Sequence, residues 1–285
     1  MNITVALGGG GARGLAHLGV LKVLEREGYT IRGVAGTSMG GVIAAGYAVG
    51  HTVEELGQWA GRAMERGLFR SRPREASLLG IDRIRGVLDE LLGETTFDGL
   101  PRRLAVTATN LETGQEMILM EGRVIDAVMA TIALPGIFPP QLLGSDRLVD
   151  GGVIDPVPVL AARALYSGPV VAVSLSPPPE EWAQSAPSNP LGHLPAFAVV
   201  DRLRAGQALR IFLRALEISA RTFSELRLKT DRPDVVVRPR VSSVALFDMP
   251  SVDLMRGVGE AAMLEKLDEL ESCFGLRGTL RRLWT

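Results

Sequence analysis

Ile3 to Leu7 form a short β-branched and apolar run that ends in glycines, the pattern of a buried strand. Leu15, Leu18, Leu21 and Leu24 then recur on one face of a helix predicted over Leu15 to Glu27, which Gly28 closes. Ile31 to Ala35 repeats the strand pattern. Met39 to Val49 is small and apolar throughout, which predicts a helix buried on most sides. The order strand, helix, strand, helix predicts a parallel sheet with right-handed crossovers.

Val53 to Arg66 and Ile81 to Leu92 carry the pattern of amphipathic helices, joined by a segment that includes the polar Arg70 to Glu75. Leu104 to Ala108 and Glu116 to Met120 read as strands about a turn at Glu112-Thr113-Gly114. Val124 to Ile132 reads as a short helix stopped by Leu134-Pro135-Gly136. A hairpin turning at Gly144-Ser145-Asp146 delivers Asp150-Gly151-Gly152, and Val170 to Leu175 is a further strand. Ser176 to Pro195 is rich in Pro, Ser and Asn, so residues 176–195 are expected to form a flexible surface loop. Ala196 to Leu228 follows as a long helix, Val235 to Val237 as a late strand, and Met255 to Phe274 as a closing amphipathic helix. Too few strands follow the loop to build a second sheet. Residues 1–285 therefore read as one α/β domain.

The composition fits that reading: 46% hydrophobic and 22% charged residues over 285 positions leave ample material for a core. A formal net charge of −1 gives no electrostatic footing for nucleic-acid binding. The lone Cys273 excludes an internal disulfide framework and a cysteine metal cluster, and reads as a small core residue near a helix end. Met1 to Leu7 lacks the basic start of a secretory signal, and no apolar stretch is long enough to span a bilayer. The expected location is cytoplasmic, with peripheral contact at the inner membrane surface left open and no oligomeric state indicated. Arg202, Arg204, Arg210, Arg214 and Arg221 alternate with Leu203, Leu209, Ile211, Phe212, Leu213 and Leu216. Such a helix either lies on an anionic bilayer or, more commonly, faces the core with a solvated side.

Gly36-Thr37-Ser38-Met39-Gly40 sits between a strand and a helix, as a nucleophile elbow requires. Gly36 and Gly40 relieve crowding at the turn, and the serine hydroxyl is presented at a helix N-terminus. Upstream, Gly9-x-Gly11-x-x-Gly14 satisfies two patterns. As a dinucleotide loop it needs an acid about twenty residues on to hold the ribose, but the second strand ends in Ala35-Gly36-Thr37-Ser38. A nucleotide-binding or regulatory module thus remains only as the alternative. As an oxyanion loop it offers backbone N–H groups near Gly10 and Gly11 to a developing negative charge. His17, His51 and His193 are the only histidines, and none is well placed as the base for Ser38. Asp150, at a strand end before two glycines, is the best candidate, because burial would raise its basicity. Asp146 and Asp155 are assigned to turns.

These blocks, in this order, resemble the three signatures of patatin-like phospholipases: Gly9-Gly10-Gly11-Ala12-Arg13-Gly14, Gly36-Thr37-Ser38-Met39-Gly40 and Asp150-Gly151-Gly152. Ala133-Leu134-Pro135-Gly136-Ile137-Phe138-Pro139-Pro140 is similar to the family's segment before the aspartate. The resemblance is dense to about Asp155 and looser through Pro233 to Val237. It implies a three-layer fold, with a mostly parallel central sheet flanked by helices. It also implies a lipid acyl hydrolase with Ser38 as nucleophile, Asp150 as its dyad partner and Gly9, Gly10 and Gly11 as oxyanion hole. Arg13, Gly14, Gly36, Gly40, Gly151 and Gly152 would support the site, with Arg13 holding the oxyanion loop. Neither a cofactor nor a metal is implied. The expected partner is a phospholipid, lysophospholipid or other acyl-ester substrate; a broad short-chain esterase or thioesterase would need the same machinery.

Overall fold

The structure, a computed structural model, describes residues 1–66, 81–183 and 204–275. Ile3 to Leu7 are all buried, as their unbroken apolar run predicts, and β1 (Asn2–Leu7) lies between two parallel neighbours. These are β2 (Thr30–Thr37) and β7 (Val170–Val173). Outward from β2 comes β3 (Arg103–Asn110), and outward from β7 comes β8 (Val235–Val237), both parallel. β4 (Glu116–Leu119) and β6 (Asp146–Asp150) pair antiparallel with β3, and β5 (Gln141–Leu143) completes a hairpin with β6. Among the described residues this makes one eight-stranded, mostly parallel sheet.

Strand alternation explains why the two faces differ. Ile3, Val5 and Leu7 point into the larger core, which is shared with α1 (Ala16–Arg26), α2 (Met39–Val49), α3 (Val53–Glu65), α4 (Ile81–Leu92) and α5 (Val124–Thr131). On the other face the register aligns Ala105, Ala35, Ala6 and Ala172 in one row across β3, β2, β1 and β7. This low row lets α6 (Val159–Leu165) pack close to the strands through Val159, Ala162 and Leu165. Leu228, near the end of α7 (Arg204–Asp231), joins the same cluster. The helices therefore flank the sheet on both sides.

The predicted elements form with small shifts in their ends, and three differences stand out. The closing helix is two helices, α8 (Val252–Leu264) and α9 (Leu267–Ser272), with Glu265 and Lys266 between them. Cys273 caps α9 and is half-buried against the core. α6 was not anticipated, because its seven residues lack a full helical period of contrast between apolar and polar positions. α7 turns its charged residues inward: Glu217, Arg221 and Glu225 are buried, while Ile211 and Ile218 are exposed. Arg70 to Glu75, the loop residues 184–195 and the start of the long helix before Arg204 lie outside the described residues. Between Ser176 and Ala183 the loop makes a short helical turn at Pro179–Glu181.

Candidate active site

β2 runs into α2 with only Ser38 between them, and Ser38 adopts φ 54° and ψ −126°. A positive φ is strained for any residue with a side chain. The turn is tight enough that a Cβ on Gly36 would run into the Gly40 backbone, and one on Gly40 into the carbonyl oxygens of Leu7 and Gly8. The Ser38 N–H donates to Thr131 Oγ1 at 2.8 Å, which ties the elbow to α5. The serine stands at the N-terminus of α2, where the first N–H groups lack helical partners.

Sheet register brings Asp150 to the same place. β2 follows one edge of β3 and ends with Thr37 opposite Thr107. β4 pairs with Val106 to Thr109, so it takes the other edge. β6 must then meet β3 on the edge that β2 vacates, and it does so with Asp150 opposite Ala108. Thr37 and Asp150 thus face consecutive residues of one strand. The junction is tied by hydroxyls: Thr37 Oγ1 donates to the Asp155 carbonyl at 2.9 Å and lies 2.6 Å from Thr107 Oγ1. Gly151 is required here, since a Cβ would fall 2.5 Å from the Thr107 carbonyl oxygen.

The Asp150 carboxyl is buried, and burial pushes its pKa up to about 6. The neighbouring Ser38 side chain and the Gly152 N–H act the other way. The Gly152 bond to Oδ1 is 2.7 Å long. A carboxylate raised this far is a better proton acceptor than one in water, yet it is still ionised at neutral pH.

The glycine loop divides its backbone donors. The Gly9 N–H is bonded to the Pro156 carbonyl at 2.9 Å, which corrects the expectation that all three glycines offer a donor. Gly9 instead supplies space, because a Cβ there would lie 3.3 Å from Ser38 Cβ. The N–H groups of Gly10 and Gly11 donate to no group among the described residues. Gly11 has φ +58°, and Gly14 leaves room for the Met39 side chain of the elbow. Arg13 is buried beneath the loop, with Nε donating to the Val244 carbonyl at 2.6 Å and Nη2 to Glu217 Oε1 at 2.7 Å.

His17 is fully buried and donates from Nε2 to the Gly8 carbonyl at 2.7 Å; burial lowers its pKa to about 4, so it stays neutral. His51 binds the Leu91 carbonyl at 2.8 Å. Among the described residues, neither histidine lines the site. His193 lies outside the described residues.

Ser38, Asp150, Gly10 and Gly11 open onto a cavity of about 180 Å³. Val42, Trp59, Ile84, Leu88, Leu213 and Phe247 give much of its wall an apolar surface suited to a hydrocarbon chain.

The sequence profile described as Patatin-like phospholipase matches residues 5–163, more than half of the chain. The chain belongs to the patatin-like phospholipase family. An NTE family protein of Mycobacterium tuberculosis is 35% identical over 177 residues, covering 61% of this chain and 49% of that protein. A second from the same organism is 30% identical over 277 residues, covering 92% of this chain and 46% of the relative. The protein named lysophospholipase NTE1 in Coccidioides immitis is 26% identical over 294 residues, covering 96% of this chain but 18% of its own length. This family member therefore spans about half the length of its mycobacterial relatives. Among solved structures, VipD from Legionella pneumophila shares the fold, with a TM-score of 0.50 and 14% identity over 94% of this chain and 66% of that one.

Within this patatin-like site, sequence reading missed the polar residues that come from α7. Glu217 and Arg221 line the cavity, but nothing in an arginine-rich helix distinguishes inward positions from outward ones. Asp155, expected in a turn, is fully buried and held by Arg227, with Arg227 Nε at 3.1 Å from Oδ1 and Nη2 at 3.0 Å from Oδ2. Asp146 opens β6 and accepts from Asn110 Nδ2 at 3.0 Å.

Proposed function

We propose that the protein hydrolyses acyl esters of lipids, with Ser38 as nucleophile and Asp150 as general base. Asp150 takes the hydroxyl proton as Ser38 attacks the ester carbonyl. The N–H groups of Gly10 and Gly11 then hold the oxyanion. Collapse of the tetrahedral species breaks the ester C–O bond, and the proton on Asp150 passes to the departing alcohol. Water, deprotonated by Asp150, attacks the acyl-serine and releases the fatty acid. The apolar cavity wall accepts the acyl chain, and the name of the fungal relative is consistent with a lysophospholipid or phospholipid substrate. Contact with a bilayer surface from the cytoplasmic side belongs to the same reading, supported by the exposed Ile211, Phe212 and Ile218 on α7.

The observation that carries this reading is the handover on β3, where β2 gives way to β6 and Ser38 meets a buried carboxyl. Loss of a nucleophile or its base in such a unit lowers turnover by about 10³-fold or more. Ser38→Ala and Asp150→Asn should each reduce hydrolysis of a chromogenic acyl ester by that order, with unchanged far-UV circular dichroism. Undiminished turnover in either variant removes the dyad.

A further inference from the structure

The cavity wall carries two guanidinium groups, those of Arg13 and Arg221, that ester hydrolysis by Ser38 and Asp150 does not use. Glu217 accepts from Arg13 Nη2 at 2.7 Å, from Arg214 Nη1 at 2.7 Å and from Arg221 Nη2 at 3.5 Å. Three guanidinium groups therefore share one carboxylate. Arg13, Glu217 and Arg221 are all buried, and all three line the cavity together with Ser38 and Asp150. Burial lowers the Arg221 pKa, and crowding by Arg13 and Arg214 lowers it further against the pull of Glu217. Burying the Arg221 guanidinium beside the already shared Glu217 is costly unless its donors find an acceptor.

The three arginines are not equivalent. Arg13 is tied to both the Val244 carbonyl and Glu217, and Arg214 is more exposed and closely bonded to the carboxylate. The Arg221 contact with Glu217 is the long one, and its buried Nε–H has no hydrogen-bond partner among the described residues. Buried donors without partners are rare in folded proteins. A guanidinium with such a donor presents the planar fork that phosphate oxygens accept from.

We propose that Arg221 receives the phosphodiester of a lipid headgroup while the acyl ester lies at Ser38, so that it favours phosphate-bearing esters over neutral glycerides. This assignment rests on the acyl-hydrolase reading of the site. In a lysophospholipid, the glycerol unit alone separates phosphate from ester, so one cavity wall serves both groups. Free phosphate would engage the same donors, and the test must separate the two sources.

The measurement compares lysophosphatidylcholine with the monoacylglycerol of the same acyl chain on the full chain. Wild type should favour the phospholipid in kcat/KM by about tenfold, the scale of one charged hydrogen bond. Arg221→Gln should bring that ratio near one, while Arg221→Lys keeps part of it. Binding of the two lipids to Ser38→Ala, with and without Arg221→Gln, reads the headgroup site without turnover. A missing preference in Ser38→Ala defeats the headgroup site alone. A preference kept there beside an inert wild type defeats the hydrolase reading instead. Equal ratios in wild type, or a ratio untouched by Arg221→Gln, overturn the assignment. So does inhibition by inorganic phosphate that depends on Arg221 without any headgroup preference. Should Arg221→Gln fail to fold, the wild-type ratio and the Ser38→Ala binding preference decide the matter.

Discussion

Ser38 holds a backbone conformation that costs of order 1–3 kcal/mol, and the surrounding glycines leave that turn no room to relax. Asp150 carries a second cost. Because burial raises its pKa above the unfolded value, folding favours the protonated form. That contribution is complete below about pH 4 and is lost as pH rises through about 6. The proposed base needs the opposite state, so kcat/KM should climb across the same window and level off above it. Asp150→Asn, which never ionises, should therefore be inactive yet more stable than wild type at pH 8 by up to roughly 3 kcal/mol. Urea unfolding at pH 4 and pH 8 measures the difference, which should shrink at the lower pH. A gap of equal size at both values would show that charge burial is not its cause. The motif residues of the site were legible because glycines at fixed spacing around a serine or an aspartate have few other uses. Glu217 and Arg221 were not, since their meaning depends on which way a helix faces.

At the scale of elements, α7 is fastened to the sheet by a partly buried ionic cluster. Arg227 binds Asp155 and also reaches Glu116 at 2.6 Å and Asp231 at 3.1 Å. Burial and the nearby Glu116 raise the Asp155 pKa despite Arg227, so Asp155 retains a proton more readily than an ordinary carboxyl. Asp155 also receives the Thr37 hydroxyl through its carbonyl, which links the cluster to the residue before Ser38. Arg227→Met would remove the cation that bridges all three crowded carboxyls. It should cost about 3–5 kcal/mol in denaturant unfolding, with the loss growing as pH rises. A loss under 1 kcal/mol would mean that apolar packing alone holds α7. Most elements were readable from periodicity, which marks long helices and buried strands well. Asp155 was not, because an aspartate after glycines looks like a turn until a distant arginine is brought to it.

Across the whole molecule, one sheet collects segments from Asn2 to Val237 and sets large side chains on one face and a row of alanines on the other. Its parallel core was foreseeable from alternating strands and helices. Two faces of unequal depth were not, because strand register is a tertiary property that no local pattern carries. That register is also what turns two remote motifs into one site. In the proposed mechanism a single hydroxyl of the chain is made nucleophilic by a single carboxyl. Treatment of the full chain with a fluorophosphonate, followed by peptide mapping, tests it most directly. One adduct is expected, on Ser38, formed at least about 10²-fold more slowly in Asp150→Asn. An adduct on another residue, or equal labelling rates in the two proteins, would contradict it.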